Sequence, residues 1–182
     1  MNSLLRNCAA INGNLDADVR VLSVDIVADS FHARYSAKGK TYCYRVVQGM
    51  VMSPFWRRYA IHETRALDLE AMRSSAGLFL GEHDWTAFSA AQSDAESRVR
   101  TVTRLDVSRI VDDRGRCDLI EFTISADGFL RYMVRSIAGT LLAVGRNEID
   151  EAQVTRAIVE GDRSLAGPTA PASGLTLVKV EY

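Results

Sequence analysis

Two alternating apolar stretches joined by a tight turn constrain this chain more than any other feature. VRTVTRLDVSRIVDD (99–113) and CDLIEFTISAD (117–127) flank the turn signal DDRGR. Their period of two predicts two antiparallel strands closed into a hairpin. Directly after them the period changes. In DGFLRYMVRSIAGTLLAVG (127–145), Leu130, Met133, Val134, Ile137, Leu141 and Val144 fall on one stripe of a helix. The helix is expected to open at Asp127 or Gly128.

The remaining elements follow the same signals. VRVLSVDIVA (19–28) reads as a strand. In FHARYSAKGKTYCYRVVQG (31–49) the second half alternates, with Tyr42, Tyr44 and Val46 on one face. Asp68 is a helix N-cap, and Leu69, Met72, Ala76 and Phe79 keep helical spacing up to Gly81. GEHDWTAFSA (81–90) reads as a loop with buried Trp85 and Phe88, and AAQSDAES (90–97) as a flexible polar loop. Asp150 and Gln153 resemble a capping box for a helix over 151–160, and LTLVKVEY (175–182) closes the chain as a strand. The order β-β-α-β-β-α-α-β predicts an α+β fold, a mainly antiparallel sheet with helices packed on one face. Residues 1–18 are polar and turn-rich and read as a linker or the end of an interdomain segment, leaving 19–182 as one domain.

Composition excludes several classes of function. The chain has 182 residues, 47% hydrophobic and 25% charged, which is ordinary for a globular protein. No apolar run approaches the roughly 20 residues a membrane span needs. The N-terminal stretch lacks a charged-then-apolar signal layout, so a cytoplasmic location is expected. Cys8, Cys43 and Cys117 share no metal-ligand spacing, and His32, His62 and His83 are scattered. No metal site, nucleophile motif or phosphate-binding glycine loop is expected. Glu82 and Asp84 read as loop and cap residues.

The net charge of −1 hides a lopsided basic set. Lys occurs only at 38, 40 and 179, and the other 19 of the 22 basic residues are Arg. Arg presents a planar fork to phosphates and carboxylates. Arg131 and Arg135, four residues apart, flank the apolar stripe of the 127–145 segment. They are either solvated surface arginines or anion holders leaning over a cleft. Tyr42 is either core material or a phenol at a site edge. Lys38, Lys40, Arg45, Arg57 and Arg58 interleave with Tyr44, Phe55, Trp56 and Tyr59. That mixture suits nucleic acid, because cations take phosphates and rings take bases, and it also suits a solvated strand edge.

Five ordered blocks lift these readings. FHARYSAKGKTYCYRV, GEHDWTAFSA with the RTV of Arg100 to Val102, DGFLRYMVRSIAG, VGR and the closing ASGLTLVKVEY resemble, in order and spacing, the TruA family of tRNA pseudouridine synthases. The resemblance runs from about Val19 onward. It implies a pseudouridine synthase-like fold and isomerisation of uridine to pseudouridine in the anticodon arm of tRNA, without metal or cofactor, by a homodimer. It implies that Tyr42 packs against the target base and is a candidate to handle the C5 proton. Arg135 pairs with the catalytic aspartate, and Leu175 lines the pocket. Lys40, Arg57, Arg58 and Arg131 are further candidates for contacting the RNA. The base must leave its stack, so a slot must receive it, and a paired guanidinium keeps the aspartate ionised.

One departure is large. The family's Gly-Arg-Thr-Asp-x-Gly-Val motif, which carries that aspartate, is absent, and Asp127 reads as a turn or N-cap residue. The chain is therefore expected to be the C-terminal part of such an enzyme, inactive alone and lacking the N-terminal catalytic domain, with NSLL as the end of a linking helix. The alternative is a non-catalytic RNA-binding or dimerisation module derived from such an enzyme.

Overall fold

A computed structural model describes residues 3–92, 96–113 and 115–182, with side chains from Asn7 onward. The centre of the loop expected at 90–97 and Arg114 of the DDRGR turn lie outside the described residues, as do Met1 and Asn2. The chain divides into two compact units, Met1–Ser36 and Ala37–Tyr182.

The first unit holds helix α1 (Ser3–Asn12) and the extended segment after it. Asn12 pins that segment, its amide bonding both the carbonyl (2.8 Å) and the N–H (2.8 Å) of Val21. The strand expected at 19–28 does not form. Its alternation is genuine, but no second strand exists among the described residues of its unit, and an isolated strand cannot pair its backbone groups. Leu22 and Ile26 stay largely exposed.

The second unit is an α+β structure built on one six-stranded sheet. Its strands are β1 (Gly39–Gln48), β2 (Ile61–Glu63), β3 (Gly81–Asp84), β4 (Val99–Asp112), β5 (Cys117–Ala126) and β6 (Leu175–Glu181). The path runs β2-β1-β5-β4-β3, and β6 pairs with β1 beside β2. Only β1 and β2 run parallel. The hairpin predicted from the alternating stretches is β4–β5, in register from Asp112↔Cys117 to Val102↔Ala126. A bulge at Thr103 shifts the register, so the inward residues of β4 change parity from Val102 to Leu105 and Val107.

Helices α2 (Leu69–Ala76), α3 (Met133–Gly145) and α4 (Glu151–Glu160) supply the other half of the main core. They share it with Tyr44, Val46, Ile120, Phe122 and Ile124, all on one sheet face as the period of two requires. The opposite face carries Val47 and Leu119 and is partly covered by Ala60 of the 49–60 connector. Asp68 and Asp150 cap α2 and α4 as expected, accepting from the N–H of Ala71 (3.0 Å) and Gln153 (2.8 Å). The box at Asp150 is only half formed, because the Gln153 side chain donates to the Leu165 carbonyl at 3.0 Å instead.

Two local expectations are corrected. GEHD is a strand, β3, not a loop. Its composition is poor for a strand, but the edge of β4 offers partners. Trp85 locks the pairing through its N–H to Arg98 O (3.0 Å) and its indole to Arg100 O (2.9 Å). Helix α3 starts at Met133, not at Asp127 or Gly128. Asp127 is instead tied to β4, its carboxylate accepting from Thr101 N (3.1 Å) and its N–H donating to Thr101 O (3.2 Å). The five residues after it form a turn that carries the site. No helix among the described residues is long and apolar enough to cross a membrane.

Candidate functional site

The later start of α3 changes what its two arginines can do. Arg131 lies in the turn and Arg135 in the first turn of the helix, so they do not share a helical flank. Every residue of α3 is buried except Arg135. A solvated flank therefore does not exist there, and Arg135 is the one charged side chain of an otherwise buried helix.

Arg135 is held from two sides. Its Nε donates to the Ala170 carbonyl at 2.6 Å, and Ala170 N returns a bond to the Arg135 carbonyl at 3.0 Å. Its guanidinium carbon lies 5.1 Å from the centre of the Tyr132 ring, and Arg131 lies 4.9 Å from the same ring. These are cation–π distances. Tyr132 has a φ of +69°, in the left-handed region. A side chain there costs on the order of 1 kcal/mol, and such strain persists only where the surroundings hold it. Here Tyr132 O accepts from Ser136 N (2.8 Å), and Arg131 O accepts from Ala90 N (3.0 Å).

The loop opposite Arg135 is fixed just as firmly. Gly139 in α3 faces the Pro168 carbonyl so closely that a Cβ would stand 1.7 Å from its oxygen, and a Cβ on Gly167 would stand 2.7 Å from Thr140 Cα. The loop thus packs backbone against backbone, which only glycine permits. Thr140 Oγ1 accepts from Gly167 N at 3.0 Å. Further along, the Tyr44 hydroxyl donates to Pro171 O at 2.7 Å. Burial pushes the Tyr44 phenol well above its ordinary value, against the opposing charge of Arg135. Tyr44 therefore serves as a neutral hydrogen-bond donor that anchors the loop.

Between these walls lies a cavity of about 360 Å³, lined among others by Tyr42, Phe129, Tyr132, Arg135 and Leu175. Tyr42 and Phe129 meet edge to face, with centroids 5.1 Å apart and planes at 87°. Leu175 enters from the start of β6, opposite Tyr44 in register. The arrangement offers aromatic and apolar walls for a flat ring, with a guanidinium at one side. No carboxylate lines the cavity or pairs with Arg135 among the described residues.

The structure thus brings Tyr42, Arg131, Arg135 and Leu175 to one cavity. It does not bring the other candidates there. Lys40 lines a separate cleft with Lys38, Thr103 and Arg104. Arg57 and Arg58 are exposed in the connector after the far end of β1. Asp84 ends β3 and, although expected as a loop or cap residue, closes a local turn, accepting from Thr86 N (2.8 Å) and Oγ1 (2.6 Å), bonds that hold its carboxyl below the usual range. Sequence reasoning missed Phe129, Tyr132 and the Ala170 carbonyl. The sequence reading places Tyr132 and Phe129 in a helix rather than in the turn before it, and a backbone carbonyl leaves no trace in composition. No group of His, Cys, Asp and Glu among the described residues could hold a metal ion.

Known proteins share most of the segments that build this cavity. A family model described as tRNA pseudouridine synthase matches residues 76–182, more than half of the chain. The chain is 42% identical over 173 residues to a protein of Limosilactobacillus reuteri (strain DSM 20016) called tRNA pseudouridine synthase A. The match covers 95% of this chain and 66% of that relative. A protein of the same name from Streptococcus pneumoniae (strain 70585) is 39% identical over 173 residues, covering 95% and 68%. The chain spans about two-thirds of the length of these relatives. With the family model matching across α3 and β6 and the relatives matching over 95% of the chain, the chain belongs to the tRNA pseudouridine synthase family.

Proposed function

We propose that this chain forms the aromatic and arginine side of the uridine-binding cleft of a tRNA pseudouridine synthase, acting on the anticodon arm, and that the catalytic carboxylate comes from outside these 182 residues. The observation that carries the reading is the Tyr42–Phe129–Leu175 slot with Arg135 beside it and no described carboxylate in it. A uracil seated between those walls would be out of its stack and shielded from water. In the reaction the bond from ribose C1′ to N1 breaks and one from C1′ to C5 forms; C5 loses a proton and N1 gains one. Tyr42 packs against the base, with its phenol available to take the C5 proton. Arg135, already pinned by Ala170 and Tyr132, favours the ionised carboxylate. In this reading the working enzyme is a cytoplasmic homodimer.

The test uses an unmodified tRNA transcript with tritium at C5 of its uridines. Tritium release should be absent with the chain alone and appear when a separately produced segment carrying the aspartate motif is added. Tyr42→Phe and Arg135→Ala should each abolish it. Release by the chain alone would overturn the proposal. Binding of tRNA without release in any mixture would favour the non-catalytic RNA-binding module.

A further inference from the structure

The cavity around Tyr42 has a neighbour. A larger cleft of about 820 Å³ opens on the other side of Arg131 and Tyr132, which line both. Its walls come from the residues after β3, the end of α4 and the loop after it, and they carry Arg98, Arg131 and Arg163. Among the described residues no Asp or Glu lines it, and none of the three arginines has an ion pair. Elsewhere in the chain, by contrast, arginines 45, 65, 73, 104, 109, 146 and 156 all pair with carboxylates.

The three cations are nevertheless oriented. Arg98 donates to Ser89 Oγ (3.1 Å) and Ala91 O (2.7 Å). Arg163 donates to Gly167 O (2.7 Å) and Thr169 Oγ1 (3.2 Å), and Arg131 to the Tyr132 hydroxyl (3.2 Å). All these acceptors are neutral. These neutral partners fix the guanidinium planes without themselves neutralising them, and each guanidinium has five N–H donors, more than these bonds use. Asp84 feels the charge of Arg98, but Thr86 holds its carboxylate. Three oriented arginines without an ion pair among the described residues, set along one cleft, are built for an anion with several oxygens, and Arg pairs bidentately with phosphate.

We infer that this cleft holds the phosphodiester backbone of the RNA strand next to the nucleotide whose base enters the Tyr42 cavity. The inference rests on the proposed function. A base seated in that cavity brings its own two phosphates to the rim, and Arg131 and Tyr132 form the wall between base and backbone. An acidic protein segment would also meet the charge. The shared wall with an aromatic slot favours a polymer that alternates flat rings with phosphates, which is RNA.

The test is the salt dependence of tRNA binding by this 182-residue chain, measured by fluorescence anisotropy with a labelled, unmodified transcript. Each phosphate left without its arginine should lower the slope of log K against log salt concentration by about 0.7–0.9. Arg98→Gln and Arg163→Gln should each do so, and the pair should remove about twice as much. Arg98→Lys and Arg163→Lys should keep the slope and weaken binding, because the charge stays while the planar fork is removed. Arg156→Gln is the control: its guanidinium pairs with Glu160 on α4 outside the cleft, and the slope should not change. Thermal unfolding of each variant verifies that the fold is intact. An unchanged slope in the double variant overturns the inference, as does a native chain that binds no tRNA. A reduced slope with no tritium release on adding the aspartate segment keeps this inference and sinks the catalytic one.

Discussion

Replacing Gly139 with Ala tests the backbone packing on which the site depends. In a helix interior this change alone stabilises by about 1 kcal/mol, because Ala has less conformational entropy to lose. Here the new Cβ would stand 1.7 Å from the Pro168 carbonyl oxygen and 3.0 Å from Ala170 N, where ordinary contact begins near 3.4 Å. The loop must retreat by more than an ångström. The two bonds that join Arg135 to Ala170, at 2.6 and 3.0 Å, cannot stretch that far. Losing them costs about 1 kcal/mol each, and forcing a methyl into a packed site costs about 1–3 kcal/mol. Set against the propensity gain, the net loss is about 2–4 kcal/mol, a fall in Tm of roughly 5–15 °C for a unit of this size. The assay is thermal unfolding followed by circular dichroism, with Gly77→Ala as control. A Cβ at Gly77 meets nothing within 4 Å and the backbone there is right-handed helical, so that variant should be neutral or more stable. The sign decides the matter. A Tm for Gly139→Ala equal to or above the native value would refute the idea that this loop is clamped to α3.

Other expectations follow from the same geometry. Glu63, at the end of β2, is nearly buried between Arg65 and Arg146. Burial pushes its carboxyl up, but bonds from Arg65 and the charges of both arginines overcome this and hold it below its ordinary value of 4.5. The folded state therefore binds this proton less readily than the unfolded chain. Its contribution is complete above pH 4.5 and drains away as pH falls through the lowered value. Glu63→Gln should make the acid limb of a Tm-against-pH curve shallower; an identical limb would count against the ion-pair network. Tyr44→Phe removes the donor to Pro171 O while leaving the packing volume unchanged, and should cost about 1–2 kcal/mol. Urea unfolding with an unaltered midpoint would show that the hydroxyl does not anchor the loop.

Periodicity and turn chemistry determined much of this protein by themselves. The β4–β5 hairpin, the inward face of Tyr42, Tyr44 and Val46, the caps at Asp68 and Asp150 and the strand at 175–181 all follow from local rules that hold wherever the segment lies. The α+β class follows from the order of those elements. The ordered blocks also pointed to Tyr42, Arg135 and Leu175, which meet in one cavity.

Tertiary structure decided the rest, because each remaining feature depends on a neighbour remote in sequence. Residues 19–28 alternate like a strand but lack a partner, whereas GEHD alternates poorly and pairs because β4 presents an open edge. The start of α3 was invisible because Asp127 bonds to Thr101, 26 residues earlier, leaving the turn that follows to set Tyr132 in its left-handed conformation. The setting of Arg135 depends on a carbonyl 35 residues away, and that carbonyl reaches it only because Gly139 has no side chain. A sequence states which groups a chain owns; which of them face one another is fixed by close packing, where a single missing methyl lets two backbones meet.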